Sequence, residues 1–192
     1  LFAEVFPDVG LLNQSYKGIS RRKRIAALEL TIRDNPSPGN YEELGELCMD
    51  DGQLQRARVA FDKALAARSN TLDCFYRRGV CAVLLGDAKA ALPDLEMVIA
   101  KEPNYDFNRG PALLAHAYAL TGEKEKAEAL FRRVTIVSTL SETYLNFADL
   151  LASEGKNAEA REWAQKVLDK QPTPAMTSLL EALAPDVGAS VI

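Results

Sequence analysis

A glycine that recurs at a nearly fixed interval constrains this chain more than any other feature. Gly52, Gly86, Gly122 and Gly155 lie 34, 36 and 33 residues apart. Each keeps the same company. Seven residues before it stands a small residue: Gly45, Gly79, Ala115 or Ala148. Five residues after it comes Ala57, Ala91, Ala127 or Ala160, and nine after it Phe61, Leu95, Phe131 or Ala164. A period in this range marks an array of helical hairpins, because one hairpin cannot bury its apolar face alone and must stack on its neighbours. The small residues let two helices approach and the large ones fill the space between pairs. The glycine ends one helix and permits a left-handed turn into the next.

The pattern resembles the tetratricopeptide repeat (TPR) family. The matching residues are Tyr41, Leu44, Gly45, Cys48, Gly52, Ala57, Phe61 and Ala64 in a first repeat. Phe75, Gly79, Ala82, Gly86, Ala91, Leu95 and Pro103 follow in a second, and Leu114, Ala115, Tyr118, Gly122, Ala127 and Phe131 in a third. A fourth carries Tyr144, Phe147, Ala148, Leu151, Gly155, Ala160, Val167 and Pro172. The resemblance implies an all-α fold: a TPR-like α-solenoid of four helix-turn-helix repeats forming a right-handed superhelix, with capping helices at both ends. The expected boundaries are 1–17 for an N-terminal tail and 18–37 for an N-terminal capping helix. Repeats are expected at 38–71, 72–107, 108–140 and 141–173, and a C-terminal capping helix and tail at 174–192. Three residues depart from the family pattern: Arg78 where a leucine is usual, Pro111 where a large apolar residue is usual, and Ala164, small for its slot.

Composition narrows the function classes. The net charge of −4 argues against a nucleic-acid partner, which needs clustered Lys and Arg. Three cysteines, Cys48, Cys74 and Cys81, make neither a disulfide framework nor a zinc site, and read as small buried apolar residues. No run of 18 apolar residues spans a membrane. The first residue is Leu1, which leaves room for an upstream anchor or signal. The apolar start "LFAEVFPDVGLL" followed by "SRRKR" fits the end of such an anchor with a basic flank, and equally fits a tail. The expected location is cytoplasmic, or membrane-attached facing the cytoplasm.

Local signals place the elements. A helix is expected from Ser20, with Ile25, Leu28, Leu30 and Ile32 on its apolar face and Asn35-Pro36 at its end. Its Arg21-Arg22-Lys23-Arg24 run reads either as a solvated helix start or as a contact with an acidic surface. Asn40, Asn70 with Asp73, and Thr139 with Glu142 mark further helix starts. Pro93 implies a kink or a late helix start. The connector "EPNYDFNRGP" is two residues longer than the period allows, so an insertion separates the second and third repeats.

Catalytic motifs are absent from the sequence. His116 is the single histidine, a residue that in isolation is ordinarily structural or on the surface. Neither G-x-S-x-G nor a P-loop occurs. The adjacent Asp50 and Asp51 point about 100° apart on a helix and cannot share a proton or metal. No enzyme activity, cofactor or metal is expected.

The resemblance implies instead a groove lined by the first helix of each hairpin, which receives a peptide or a helix from another protein. The positions that map to it are Glu42, Glu46 and Met49, then Tyr76, Arg77, Val80 and Val83. They continue with Arg109, Ala112, His116 and Ala119, then Leu145, Asn146 and Asp149. The Lys, Asn and Arg set with which some family members hold a C-terminal carboxylate is missing: Glu46 and Val80 stand where its first asparagine falls. The expected function is a scaffold or adaptor without catalysis. Its partner would pack an apolar anchor on Tyr76, Val80 and Val83 and set a basic segment toward Glu42 and Glu46. Two alternatives stay open: a membrane-tethered assembly factor anchored through a missing N-terminal segment, and a self-associating homo-oligomer.

Overall fold

A computed structural model describes the backbone of residues 7–168 and the side chains from Lys17 onward. The described residues form nine α-helices and no strand. They are α1 (Pro7–Asp34), α2 (Pro38–Asp50), α3 (Leu54–Ala66), α4 (Leu72–Leu84), α5 (Ala88–Lys101), α6 (Arg109–Leu120), α7 (Lys124–Thr135), α8 (Ser141–Ser153) and α9 (Asn157–Leu168). The expected capping helix at 174–192 lies outside the described residues, as do residues 1–6.

One kind of turn, used at each of the four glycines, explains their period. Gly52, Gly86, Gly122 and Gly155 all have positive φ, between 74° and 83°. At each, the glycine N–H bonds the carbonyl three residues back and the next N–H reaches five back: Gly52 to Met49 at 2.9 Å and Gln53 to Cys48 at 2.8 Å, for example. This double closure satisfies carbonyls left open at a helix end, and it needs a residue without Cβ at the left-handed position. Arg68 makes the same pair of bonds after α3, through Arg68 to Leu65 and Ser69 to Ala64. It does so at φ 70° with a full side chain.

Helix starts fall near, but not on, the expected residues. Ser37 rather than Asn40 caps α2, accepting from the Asn40 N–H at 3.2 Å, with Pro38 in the first turn. Thr71 caps α4 by accepting from the Cys74 N–H at 3.2 Å. Leu140 occupies the cap position of α8 and offers no side-chain bond. The largest difference is at the N-terminus. Residues 7–17, expected as tail, continue α1, and Ser20 is inside the helix rather than its cap. A proline at the first helical position is pre-set for a helix, and isolated glycines such as Gly10 and Gly18 cost only about 1 kcal/mol each. Likewise α5 starts at Ala88 and runs through Pro93, so the late start is ruled out.

The chain divides into two compact units, 1–94 and 95–192. In the first, α1 packs on α2, α2 on α3 and α3 on α4. Its core gathers Ile25, Leu47, Cys48, Phe61, Cys74 and Cys81. All three thiols are buried, and burial pushes those of Cys74 and Cys81 up to about 11. Gly45 is the point of closest approach: a Cβ there would stand 2.5 Å from the Phe61 ring. Arg78, the first departure, bridges helices. Its Nε and Nη2 each donate to Asp94 at 2.7 Å, and its Nη1 donates to Asp62 at 2.8 Å. The basic run of α1 meets acidic groups of this same chain: Arg22 pairs with Asp51 at 3.5 Å, Arg24 with Glu43 at 3.5 Å, and Arg21 donates to the Asp50 carbonyl at 2.6 Å.

In the second unit α6 packs on α7, α7 on α8 and α8 on α9. Pro111 is fully buried in the first turn of α6, where a missing N–H costs no helical bond. The small Ala164 is fully buried, and the ring of Trp163 beside it in sequence lies 5.4 Å from Phe147 and 5.6 Å from Tyr144. Phe147 in turn stacks on Phe131 at 5.4 Å. The two-residue insertion takes an unusual form. Asp106, Phe107 and Asn108 all have positive φ, at 47°, 51° and 70°. Together they make a short left-handed turn that presents Phe107 with 93% of its surface exposed.

Candidate functional site

The candidate positions share faces because helix residues three and four apart lie one above the other. On α4, Tyr76 and Val80 lie about 200° and 240° around the helix from Cys74, and about 140° and 100° from Cys81, so both are turned off the line of the buried thiols. Both are half-buried, while Val83, one turn on, is buried. Across from them on α2, Met49 is half-buried against the core.

The charged members of this wall are engaged within the chain. The Glu42 carboxylate accepts from the Ser69 hydroxyl and, at 3.2 Å, from the hydroxyl of Thr71, the residue that caps α4. Glu42 therefore braces the connection from α3 to α4. Glu46 lies 3.5 Å from Arg77, which also pairs with Asp73 on its own helix. The acidic wall expected of the first repeat and the cation expected of the second thus neutralise one another.

The second unit carries its own wall on α6 and α8. Arg109 is exposed at the start of α6 and pairs with Asp106 at 3.8 Å. Ala112 is buried. His116, Ala119, Leu145 and Asn146 are half-buried, and Asp149 is exposed at one edge. Burial pulls the pKa of His116 down, against the raising effect of the Glu142 and Asp149 carboxylates. Desolvation raises Asp149, opposed by His116. Glu142 belongs to this wall and was missed from the sequence. Its place three and seven residues before Leu145 and Asp149 puts it on the same face, so the register itself held the signal. Among the described residues no group of three or more His, Cys, Asp or Glu is placed to hold a metal ion.

Tetratricopeptide repeat models match residues 73–105 and 141–174, the hairpins α4–α5 and α8–α9. This chain is a tetratricopeptide repeat protein. The TPR-like solenoid is shared with the crystal structure of YrrB, described as a TPR protein with an unusual peptide-binding site. The two match with a TM-score of 0.73 at 22% identity, covering 94% of this chain and 88% of that one. MamA from Desulfovibrio magneticus RS-1 matches with a TM-score of 0.71 at 23% identity, over 87% of this chain and 93% of that one. At these identities the likeness is one of fold.

In sequence, the TPR chain is 34% identical over 100 residues to mouse DnaJ homolog subfamily C member 3, and 33% identical to the human protein. That stretch is 52% of this chain and 19% of each of those longer proteins. TPR arrays serve generally as protein-interaction scaffolds. None of the described helices is long and apolar enough to cross a membrane.

Proposed function

We propose that this TPR protein is a non-catalytic adaptor that takes a peptide or helix of another protein on the inner walls of its first helices. The observation that carries the reading is the asymmetry of α4. Its Cys74 and Cys81 side is fully buried, while Tyr76 and Val80, turned away from that line, keep accessible apolar surface. A partner's apolar anchor packs there beside Met49, with the paired Glu46 and Arg77 forming a polar rim. Ala112, His116, Leu145, Asn146 and Asp149 offer a second stretch of the same character. Glu42 serves the fold rather than the partner, because its carboxylate holds Ser69 and Thr71.

The test is a pull-down read by mass spectrometry, with the wild-type chain beside a Tyr76→Glu, Val80→Glu variant shown to be folded by circular dichroism. A protein held by the wild type and lost by the variant supports the wall. Identical sets on both baits reject it. Glu46→Lys, assayed at low salt where exposed charges count most, reports the rim separately.

A further inference from the structure

A second recess lies on the other side of the first unit. On α2, Leu44 is about 160° around the helix from Glu46, so it faces away from the wall described above. There a cleft of about 270 Å³ opens between α1 and α3. Leu44, Val59 and Ala60 form its apolar floor, and Glu29, Arg56 and Lys63 stand at its rim. Val59 keeps 44% of its surface exposed, so the floor is open to solvent.

The rim charges are not equivalent. Arg56 is bound to Glu29 at 2.6 Å, which closes one end of the cleft. Lys63, two turns further along α3, has no carboxylate within ion-pair distance among the described residues. Its ammonium rests over the Tyr41 ring, 5.8 Å from the centroid. The ring holds the cation at the mouth without neutralising it. The rim thus carries one unmatched positive charge about 6 Å along the helix from Val59, since four residues of helix rise by that amount.

We propose that this cleft docks an extended segment of a partner protein carrying a bulky apolar side chain and, two residues later, a carboxylate. Two residues of extended chain span about 6.6 Å and put both side chains on one side. That reach matches the step from the Val59 floor to Lys63. The cation set one helical turn from the apolar floor favours a peptide that carries both groups. A cleft of about 270 Å³ accommodates one bulky aliphatic side chain. The surface is independent of the inner walls, so either stands if the other fails.

The experiment is an NMR titration of the full ¹⁵N-labelled chain with acetyl-Leu-Gly-Glu-amide, beside acetyl-Leu-Gly-Gln-amide and octanoate. The expected result is saturable movement of the Leu44, Val59 and Ala60 amide signals with the Glu peptide. The Gln peptide binds roughly fivefold more weakly, the scale of one exposed ion pair. Lys63→Gln erases the difference between the two peptides, and added salt narrows it. The proposal is overturned if those amides do not move, if both peptides bind the wild type equally, or if octanoate binds more tightly than the Glu peptide. Movement at Tyr76 and Val80 instead would also overturn it while leaving the inner-wall reading intact. The two-peptide comparison on the wild type decides the matter even if the variant misfolds.

Discussion

Arg78 grips Asp94 through two parallel bonds of 2.7 Å, from Nε to one carboxylate oxygen and from Nη2 to the other. Asp94 is only 6% exposed. The pair joins α4 to α5, and the bond to Asp62 adds α3. An arginine in a slot where TPR sequences favour leucine is therefore a fastening and not a packing defect. Arg78→Leu strands the Asp94 charge, and we expect a loss of about 2–3 kcal/mol, below the full cost of breaking a buried pair because Arg78 is part-exposed. The double variant Arg78→Leu, Asp94→Leu recovers most of it. Urea unfolding of these two variants, the single variant Asp94→Leu and the wild type closes the cycle.

Gly45 and Gly18 should respond in opposite directions to the same substitution. Gly45→Ala drives a methyl to 2.5 Å from the ring of Phe61, which is fully buried and has nowhere to go. Overpacking of this kind costs about 1–3 kcal/mol. Gly18 sits within α1, and a methyl added there would meet nothing within 4 Å. Gly18→Ala gains up to about 1 kcal/mol by helix propensity. Thermal melting of both variants checks the signs, and Phe61→Leu should relieve the Gly45→Ala defect.

Arg68→Gly should stabilise the chain. Arg68 occupies the left-handed position that glycine fills at four other helix ends. The steric penalty for a side chain there is about 1–2 kcal/mol, partly offset by the greater freedom of glycine in the unfolded chain. A net gain of about 0.5–1 kcal/mol, seen as a higher denaturant midpoint with unchanged slope, is the expected outcome.

His116 sets a pH dependence of known sign. Burial lowers its folded-state pKa below the unfolded value of about 6.5, so the folded chain binds fewer protons in that range. Its contribution is fully present above about pH 6.5 and is lost as pH falls through the folded pKa. His116→Gln should flatten this part of the stability profile. Asp149 acts oppositely: desolvation raises its carboxyl, so its ionisation costs stability as pH rises above the ordinary carboxylate range. Asp149→Asn should therefore stabilise at neutral pH. Unfolding curves from acid to neutral pH measure both.

The helix pairs and their order were legible because they follow from a period. Gly45, Gly52, Ala57 and Phe61 repeat as a unit, and each has one steric job that few residues can do. The N-terminal part of α1 was not legible, because Pro7, Gly10 and Gly18 read as breakers locally, yet a first-turn proline and scattered glycines are tolerated in a helix. Cap positions slipped because Ser37, Asn40, Thr71 and Thr139 are all competent caps, and the backbone geometry selects among them. The candidate wall was legible as a face but not as a charge pattern. Glu42 finds Ser69 and Thr71, and Glu46 finds Arg77, some 27 to 31 positions along the chain. Arg78 escaped for the same reason, since its value depends on Asp62 and Asp94 being brought beside it.

The left-handed turn at Asp106, Phe107 and Asn108 bears on how such arrays lengthen. Adding residues between repeats would ordinarily shift where the next helix starts. Here the connector coils its surplus, with the Gly110 N–H closing back on the Tyr105 carbonyl at 3.1 Å. Gly110 then tucks against Ile99 and Tyr105, where a methyl would lie 3.0–3.2 Å from its neighbours. The turn works as a spool: the surplus length is wound up locally between Tyr105 and Gly110, and α6 starts directly from the closed coil.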